Sequence, residues 1–595
     1  IFYPDDNPIE LPEGLEFNTL TQDGIYQAAT GPFLKKDMEG GGRGSNAWAI
    51  SGEKSITGHP LLCNDTHLPL QLPSVWYLNH LHCPELHVTG AILPGLPGVI
   101  LGHNDKISWG ITLSFLDMED IFIEKMSEKK KNCYIFQEEE KSIQLIEEII
   151  PIKKSHNHVE TIRLTHHGPI ISSVTGHDEQ VVSLSSKALQ PNRMMDGFLQ
   201  INHAENWNDF ASACQILDAP PLNIVYADKE NNIGLWVTGK VPIRKSGDGQ
   251  LPVQGWTGEG EWKAEIPAEH MPHLLNPKQG YIISCNHKVI DEYPYFLGNS
   301  FMNGYRAKRI EDVMLKKGKL SIKDCIDLHS DFTSIPGKQL VEGLMKGFKT
   351  ARPKAQKVLD QLLKWDFILN EDSQGGTVYQ IFIYTVIRQL VEPELGQELT
   401  DKYMGKGEHP LLLPTSELLG HTVPALIKML QNPDSKWIKS TRELLTLIEN
   451  SLEKTCSWLE LNLGFEPDDW TWGKLHQVQF KHGLAVDNML LAELFNIGPF
   501  EIGGDTDTVC QTAYNPSSPY NATEWCPAIR VIMDLRDFDK CKIILPPGQS
   551  GVLGSPHYSD MVDPWLKGEY IPMLWTKDAV DEHKQYELKL EPNHG

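Results

Sequence analysis

The sequence predicts an α+β fold with strands toward both ends of the chain and helices in the middle. Three features lead to this prediction: strand and turn patterns run to about residue 300, helical periodicity follows Arg306, and strands return from Trp470. No internal repeat and no linker-like composition separates these stretches. We therefore expect one large domain with a helical excursion at about residues 310–463.

Composition excludes several classes of function. The 595 residues are 40% hydrophobic and 22% charged, which is ordinary for a globular protein with a sizeable core. A formal net charge of -25 argues against nucleic acid and anionic membranes, because both attract basic surfaces. No window holds the roughly 18 unbroken apolar residues of a membrane span. We expect neither a nucleic-acid partner nor a membrane partner.

The start of the chain changes character abruptly near residue 45. The first 44 residues are rich in Pro, Gly, Asp and Glu without a sustained period, so we predict a loop that ends in glycines. Residues 47–50 then predict a short strand, residues 51–54 a turn and residues 60–63 a second strand.

Later elements follow from periodicity. Residues 223–228 and 233–237 predict a hairpin that turns through residues 229–232, because apolar residues alternate after the turn. A helix is predicted after Pro353, where five apolar residues recur at helical spacing. These five are Ala355, Val358, Leu359, Leu362 and Leu363. Residues 529–535 predict a late strand.

The junction between Gly44 and Ser45 is the candidate site of chemistry. A serine hydroxyl is a poor nucleophile until a base takes its proton. An N-terminal residue carries an α-amine with a pKa of roughly 7.7–8.0, so one residue can supply both nucleophile and base. Our hypothesis is that the chain cuts its own Gly44–Ser45 bond and exposes that amine. The alternative is an ordinary Gly-Ser loop, which an isolated Gly-Ser pair does not exclude.

Ordered sequence blocks favour the first reading. They are GSNAW at 44–48, NDTHL at 64–68, PGLP at 94–97, GHN at 102–104, WGIT at 109–112, YAD at 226–228, NP at 276–277 leading to Asn286, GYRA at 304–307, WGKLH at 472–476, GGDTDTV at 503–509, GQSG at 548–551 and SPHY at 555–558. In this order the chain resembles the penicillin acylase family of N-terminal-nucleophile hydrolases.

The resemblance implies a fold and a division of the chain. The implied fold is a four-layer αββα sandwich, with two antiparallel sheets between helical layers. Residues 1–44 would be the end of an α-segment or spacer before the processing site, because family precursors carry a long segment there. Residues 45–595 would form a β-subunit-like domain, with an α-subunit from the same precursor as its partner.

The resemblance also assigns roles residue by residue. Ser45 matches the nucleophile. Asn286 matches the side-chain donor of the oxyanion hole, and Leu113 matches the residue whose backbone N–H is the second donor. His67 matches a residue close to the nucleophile, with a structural histidine as the alternative. Arg306 matches an arginine that organises the site, with a structural ion pair as the alternative.

A metal is expected only in a structural role. Asp117 and Asp120 match carboxylates that bind a structural calcium in some family members, and solvated surface carboxylates are the alternative. Calcium needs about 6–8 oxygen ligands, so two aspartates do not define a site. No cofactor is expected for catalysis. The spacing of His80, His82, Cys83 and His87 fits no zinc motif.

The implied activity is hydrolysis of a linear amide in an N-acylated small molecule, at a periplasmic or extracellular location. Penicillin-type and N-acyl-homoserine-lactone-type substrates both fit, which connects the prediction to antibiotic chemistry or to quorum quenching. A second possibility is an uncleaved, catalytically silent member that binds acylated ligands. A third is an S-x-x-K enzyme built on Ser51 and Lys54, although this pair is predicted in a turn and that motif should open a helix.

Overall fold

The computed structural model describes residues 44–175, 180–249, 251–409, 413–415, 417–431, 437–485, 488–514 and 525–592. The loop predicted before Gly44 lies outside the described residues. In the described part of the chain, no helix combines the length and the apolar character that crossing a membrane requires.

The strands, in chain order, are β1 Gly44–Ile50, β2 Leu61–Leu68, β3 Gln71–Leu72, β4 Tyr77–Cys83, β5 Leu86–Ile92, β6 Leu101–Asn104, β7 Ile107–Leu113, β8 Glu119–Met126, β9 Cys133–Phe136, β10 Glu139–Ser142, β11 Gln144–Ile150, β12 His158–Leu164, β13 Val181–Ser186, β14 Leu222–Asp228, β15 Ile233–Val237, β16 Pro242–Arg244, β17 Val253–Gln254, β18 Trp262–Glu265, β19 His273–Leu275, β20 Tyr281–Ser284, β21 Lys406–His409, β22 Leu413–Thr415, β23 Gln477–His482, β24 Ile497–Glu501, β25 Cys526–Asp534, β26 Lys542–Ile544 and β27 Ile571–Pro572.

The α-helices are α1 Ser172–Thr175, α2 Met194–His203, α3 Trp207–Cys214, α4 Tyr305–Lys317, α5 Ile322–His329, α6 Ile335–Leu340, α7 Pro353–Lys364, α8 Gln374–Tyr403, α9 Thr422–Gln431, α10 Thr441–Asn462, α11 Met489–Phe495, α12 Val562–Leu566 and α13 Lys577–His583. Short 3₁₀ turns span Lys187–Leu189, Ala268–His270, Glu417–Gly420, Pro467–Asp469, Trp472–Lys474, Gly483–Ala485 and Phe538–Lys540, and a π-helical turn spans Val341–Met345.

Two antiparallel sheets form the centre of the molecule. One has six strands in the order β20-β1-β2-β25-β26-β27, and the other has seven in the order β19-β15-β14-β7-β6-β5-β4. Strands β1 and β2 of the first sheet contact β7 and β14 of the second. Every residue of β1 is buried, so this strand is covered on both of its faces.

The sequence of β1 matches its two different neighbours. Successive side chains of a strand point to opposite faces. Ala47 and Ala49 belong to the core between the sheets, whereas Trp48 and Ile50 belong to a second core shared with residues of α4 and α5. Small side chains thus face the second sheet and large ones face the helices.

Helices accompany both sheets. Helix α2 contacts β5 and β6, and α3 contacts β15, all in the seven-stranded sheet. Helix α4 contacts β20, and α5 contacts β2 and β25, in the six-stranded sheet. The α+β class predicted from the sequence is therefore confirmed.

The middle of the chain is helical and has its own apolar core. Residues of α7, α8 and α10 form a cluster that includes Leu362, Val386 and Leu452, all fully buried. The predicted helix after Pro353 is α7, and four of its five apolar residues are buried. The exception is Leu363, which is 45% exposed because it lies at the edge of the buried stripe.

The other local predictions agree with the structure to within a few residues. Strands β14 and β15 form the predicted hairpin, in which Asn223 is opposite Val237. The predicted late strand, residues 529–535, overlaps β25 and runs one residue beyond its end at Asp534. Ser51 and Lys54 lie in a turn, where the Lys54 N–H donates to the Ser51 carbonyl at 2.9 Å. The helix that an S-x-x-K site would require is absent at these residues.

Candidate functional site

Ser45 lies near the start of the central strand β1. It is only 4% exposed, and the chain runs continuously through Gly44 into the strand. The Ser45 hydroxyl donates to the Gly44 carbonyl oxygen at 2.5 Å, and the Ser45 N–H donates to Asn286 Oδ1 at 2.7 Å. The hydroxyl and the N–H of Ser45 are therefore both held at the Gly44–Ser45 peptide bond.

The pairing of β1 with β2 brings polar side chains to this bond. Gly44 is opposite His67, and Asn46 is opposite Asp65. Asn46 Nδ2 donates to Asp65 Oδ2 at 3.3 Å and to the Val509 carbonyl at 2.8 Å. The antiparallel register thus places an acid and an imidazole beside the Gly44–Ser45 junction.

Gly44 packs tightly against the side chains of two distant residues. A Cβ built on Gly44 would lie 1.9 Å from Gln511 Oε1 and 2.6 Å from Trp525 Nε1. These two atoms are themselves hydrogen-bonded at 3.0 Å, and Gln511 Nε2 donates to the Thr506 carbonyl at 2.6 Å. The absence of a side chain at residue 44 is therefore a steric requirement of the surrounding network.

Asn286 connects Ser45 to the second sheet. It follows β20 with a φ of 64°, a left-handed conformation that asparagine adopts more readily than most residues. Its Nδ2 donates to the Leu113 carbonyl at the end of β7, at 2.9 Å. The Ser114 N–H donates to the carbonyl of Pro221, the residue before β14, so by alternation the Leu113 N–H faces the opposite edge of β7.

Arg306, in the first turn of α4, holds these parts together. It is 1% exposed and uses its guanidinium as a fork. Nη1 donates to the Ser45 carbonyl and to Asn46 Oδ1, both at 2.8 Å. Nη2 donates to the Cys285 carbonyl at 2.8 Å and to Asn286 Oδ1 at 3.0 Å. One cation thus bonds to oxygens from β1 and from the segment after β20.

A buried acid lies between two histidines next to this cation. His67 Nε2 and Asp65 Oδ2 are 2.7 Å apart, and His329 Nε2 lies 3.9 Å from Asp65 Oδ1. Burial lowers the pKa of His67 although Asp65 opposes the shift, so the ring is neutral at pH 7. Burial acts to raise the pKa of Asp65, but His67, His329 and Arg530 outweigh it and lower that pKa.

This pattern fixes the tautomer of His67. A neutral imidazole that bonds an ionised carboxylate through Nε2 carries its proton there. Its Nδ1 is then an acceptor, and it lies 3.0 Å from where a Cβ of residue 44 would be. His67 therefore presents a basic nitrogen to the Gly44 side of the junction.

The structure brings together five of the seven residues singled out in the sequence. Ser45, His67, Asn286 and Arg306 meet around the Gly44–Ser45 bond, and Leu113 joins them through its carbonyl. Their roles in a reaction stay predictions.

Asp117 and Asp120 form a separate cluster around an arginine. Arg244 Nε lies 2.8 and 3.1 Å from the two oxygens of Asp120, and Arg244 Nη2 lies 3.0 Å from Asp117. Trp262 Nε1 also donates to Asp120. Burial raises the pKa of Asp117 to about 6, although Arg244 opposes the shift. These contacts neutralise the carboxylates and add no oxygen ligand, so they give no support to calcium here, which stays a prediction.

Sequence reasoning missed several residues of the site. Asn46 and Asp65 lie inside two of the quoted blocks, and Gln511 lies two residues after a third, so those blocks carried the signal. Trp525 and His329 stand in no quoted block, and they reach the site only through the folding of distant segments.

A solved structure with the same fold defines the class of the molecule. The thermostable penicillin G acylase from Alcaligenes faecalis superposes with a TM-score of 0.73 at 19% sequence identity. The match covers 92% of this chain and 100% of the acylase chain. The protein therefore shares the mixed helix-and-sheet fold of N-terminal-nucleophile hydrolases.

The chain belongs to the penicillin amidase family, whose model matches residues 3–582. It is 28% identical to an acyl-homoserine lactone acylase, QuiP, from Pseudomonas aeruginosa, over 97% of this chain and 73% of that protein. It is also 28% identical to the penicillin acylase 2 proenzyme from Pseudomonas sp. strain SE83, over 96% of this chain and 72% of that protein. The protein is thus a hydrolase that acts on amide bonds, and the resemblance seen in its sequence is confirmed.

Replacing Arg306 should destabilise the fold strongly. Arg306→Met removes one donor from each of four acceptor oxygens, of which Asn286 Oδ1 keeps the Ser45 N–H. Each buried acceptor left unpaired costs about 1–3 kcal/mol. We expect the free energy of unfolding, measured by urea titration, to fall by at least about 3 kcal/mol. Lys316→Met, at an exposed position of the same helix, is the control and should change it by less than about 0.5 kcal/mol. Equal effects of the two substitutions would contradict the bridging role.

The buried His329 should make stability depend on pH. Burial lowers its pKa to about 4, whereas the pKa of a histidine in the unfolded chain is about 6.5. Its contribution to stability is therefore complete above about pH 6.5 and is lost as the pH falls toward 4. Between pH 7 and pH 5 this loss is about 2 kcal/mol, and His329→Gln should remove that part of the pH dependence.

Urea unfolding of both proteins at pH 7 and pH 5 measures this difference. His156→Gln, which removes an exposed histidine, controls for the loss of a histidine as such. The same pH dependence in wild type and His329→Gln would show that His329 does not contribute.

Proposed function

We propose that this protein is a self-processing acylase that cleaves the linear amide of an N-acylated small molecule through an acyl-enzyme on Ser45. The observation that carries the proposal is the placement of the Ser45 hydroxyl 2.5 Å from the Gly44 carbonyl oxygen. The same junction is held by Asn286 and Arg306, so the nucleophile and the bond it attacks are fixed relative to each other.

The first step is the cut of the chain itself. Ser45 Oγ attacks the Gly44 carbonyl carbon, the C–N bond breaks, and the hydroxyl proton passes to the departing nitrogen of Ser45. The product is an ester between Gly44 and Ser45 Oγ. Water hydrolyses this ester to a Gly44 carboxylate and restores the hydroxyl of Ser45, which now begins its segment with a free α-amine. His67, fixed by Asp65, supports this step by presenting its neutral Nδ1 to the Gly44 side.

The second reaction uses the amine that the cut releases. The α-amine of Ser45 takes the hydroxyl proton, and Oγ attacks the carbonyl of the acyl amide. Asn286 Nδ2 and the Leu113 N–H donate to the oxyanion, and Arg306 keeps the Asn286 amide oriented through its Oδ1. The leaving amine takes a proton and departs, and water then releases the acid from Ser45.

Relatives suggest the classes of substrate. They are named acyl-homoserine lactone acylase and penicillin acylase, so N-acyl-homoserine lactones and the side-chain amides of β-lactams are the two classes proposed here. Both present a linear amide to the nucleophile. One relative is named as a proenzyme, which supports a precursor that yields an α-subunit as the partner of the segment from Ser45 onward.

We also propose the four-layer αββα arrangement for the fold. It is supported by the contact between the two central sheets and by the different helices that contact each of them. Helices α2 and α3 would form one outer layer, and α4 and α5 the other.

One feature favours a second candidate, an uncleaved protein that only binds acylated ligands. In the continuous chain both ends of the Asn286 amide are bonded, to the Ser45 N–H and to the Leu113 carbonyl. Mass spectrometry of the purified precursor separates the two candidates. A fragment that begins at Ser45 supports the acylase, and an intact Gly44–Ser45 bond after prolonged incubation supports the binding protein.

Ser45→Ala should abolish both reactions. The variant is expected to stay intact at residue 44 and to lose at least about 10³-fold in turnover of a panel of acyl amides, because no other group supplies the nucleophile. Ser51→Ala is the matched control, and it should be processed and active like wild type. Equal turnover by wild type and Ser45→Ala would remove Ser45 from the mechanism, and loss of activity in Ser51→Ala alone would support the S-x-x-K alternative.

Gly44→Ala should slow processing. A methyl group at residue 44 would collide with Gln511 and Trp525 and displace the carbonyl that Ser45 attacks. A 1 Å displacement can cost about 10²-fold in rate, and we expect a comparable delay in the appearance of the Ser45 fragment. Gly483→Ala is the control, since its added Cβ would meet open space. Processing of Gly44→Ala at the wild-type rate would contradict the fixed geometry.

A further inference from the structure

A second cluster of ionisable side chains lies away from the residues around Ser45. His166 and His167 follow β12, and Glu261 immediately precedes β18. His167 Nε2 lies 2.8 Å from Glu261 Oε1, and His166 Nε2 lies 3.6 Å from the same oxygen. Among the residues that the structure describes, these three form the group in which one ligand atom from each lies within 4.8 Å of the others.

We propose that His166, His167 and Glu261 bind a divalent transition-metal ion, zinc in the first instance. Imidazole nitrogens and a carboxylate oxygen are ligands that zinc commonly takes, with bonds of about 2.0–2.2 Å. In a tetrahedral site with such bonds, the ligand atoms are about 3.3–3.5 Å apart. The observed separations of 2.8 and 3.6 Å lie on either side of that distance.

In both histidines Nδ1 contacts a neighbouring side chain, so Nε2 is the nitrogen that can bind the ion. His167 Nδ1 lies 2.8 Å from Glu124 Oε1, which also accepts from the Ser183 hydroxyl at 2.7 Å. His166 Nδ1 lies 2.9 Å from the Tyr134 hydroxyl. In metal sites a ligating histidine commonly bonds a carboxylate or another polar group through its second nitrogen, which fixes the tautomer and the ring orientation. Both histidines have this arrangement, and both direct Nε2 toward Glu261.

Access and charge also suit a cation. The side chain of His167 is buried, whereas those of His166 and Glu261 are 28% and 32% exposed, which opens one side to solvent. An ion can enter there and keep a water molecule as its fourth ligand. Glu124 and Glu261 place two carboxylates around the two imidazole rings, so a divalent cation would balance their charge.

The bound ion would cross-link two segments. Strand β12 ends just before His166, Glu261 precedes β18, and the hydrogen bond from His167 to Glu124 extends this link to β8. A metal bound only to the folded state raises the midpoint of thermal unfolding as the free ion concentration increases. The ion therefore has a structural role in this proposal and takes no part in the reaction at Ser45.

Titration of the full chain tests the site. The purified protein is treated with a chelator, dialysed and titrated with Zn²⁺ alone by calorimetry and with Co²⁺ by visible absorption. We expect one equivalent of Zn²⁺, the absorption bands of four-coordinate Co²⁺, and a midpoint of thermal unfolding that rises with Zn²⁺. Ser45→Ala should bind equally, so the result is independent of the proposed acylase reaction.

Variants locate the ion. His166→Ala and Glu261→Gln each remove a ligand and should abolish the Co²⁺ bands, whereas Tyr134→Phe, which removes an outer partner, should weaken Zn²⁺ binding by about 10–100-fold. His87→Ala, in the separate group of His80, His82 and His87, is the matched control and should bind like wild type. If His166→Ala misfolds by circular dichroism, Glu261→Gln and Tyr134→Phe decide the outcome.

Three results would overturn the proposal. The first is a wild-type protein that shows neither heat of binding nor Co²⁺ bands, which would leave His166, His167 and Glu261 as a group held by their own hydrogen bonds only. The second is full-strength binding in correctly folded His166→Ala or in Glu261→Gln. The third is loss of binding in His87→Ala with retention in Glu261→Gln, which would place the ion at the other histidines.

Discussion

The hydrogen bonds of the Arg306 guanidinium are the interaction on which the site depends. A buried cation is costly unless several oxygens replace its water, and here four oxygens do so. Two of these oxygens come from β1 and two from the segment after β20. The Arg306 side chain, which belongs to α4, therefore joins that strand and that segment to the helix. The position of Ser45 thus depends on the charged hydrogen bonds of Arg306 at the start of β1.

Polar side chains are unusually concentrated where β1 and β2 pair. Asn46, Asn64, Asp65, Thr66 and His67 are all buried in β1 and β2. Asn64 both donates to and accepts from the backbone of Ile111, in the opposite sheet. Such a network strongly favours one arrangement, because each unpaired group would carry a large penalty in a medium of low dielectric constant. The apolar faces stabilise the fold, and the polar network gives the site its rigidity.

Local sequence patterns allowed much of the fold to be predicted. Contacts between residues far apart in sequence could not be predicted in this way. The β14–β15 hairpin and helix α7 follow from periodicity, because alternation and helical spacing are properties of neighbouring residues. Ser45 and Arg306 were found because each stands in a sequence block, and Asn286 because it follows the block at 276–277. Trp525 could not be found, since its contact with Gln511 depends on how these two residues, which are distant from Gly44 in sequence, pack against it. Arg244 was missed for the same reason, although it determines the surroundings of Asp117 and Asp120.

The alternation of side chains along β1 determines the face of the sheet on which Ser45 lies. Ser45 shares its face with Ala47 and Ala49, while the indole of Trp48 is on the other face, in an edge-on contact with the His329 ring. Deleting one residue between them would turn the indole into the narrow space that two methyl groups now fill. Trp48 therefore fixes the register of β1. Because its indole fits only on the helix side, the Ser45 hydroxyl must lie on the opposite face of the sheet.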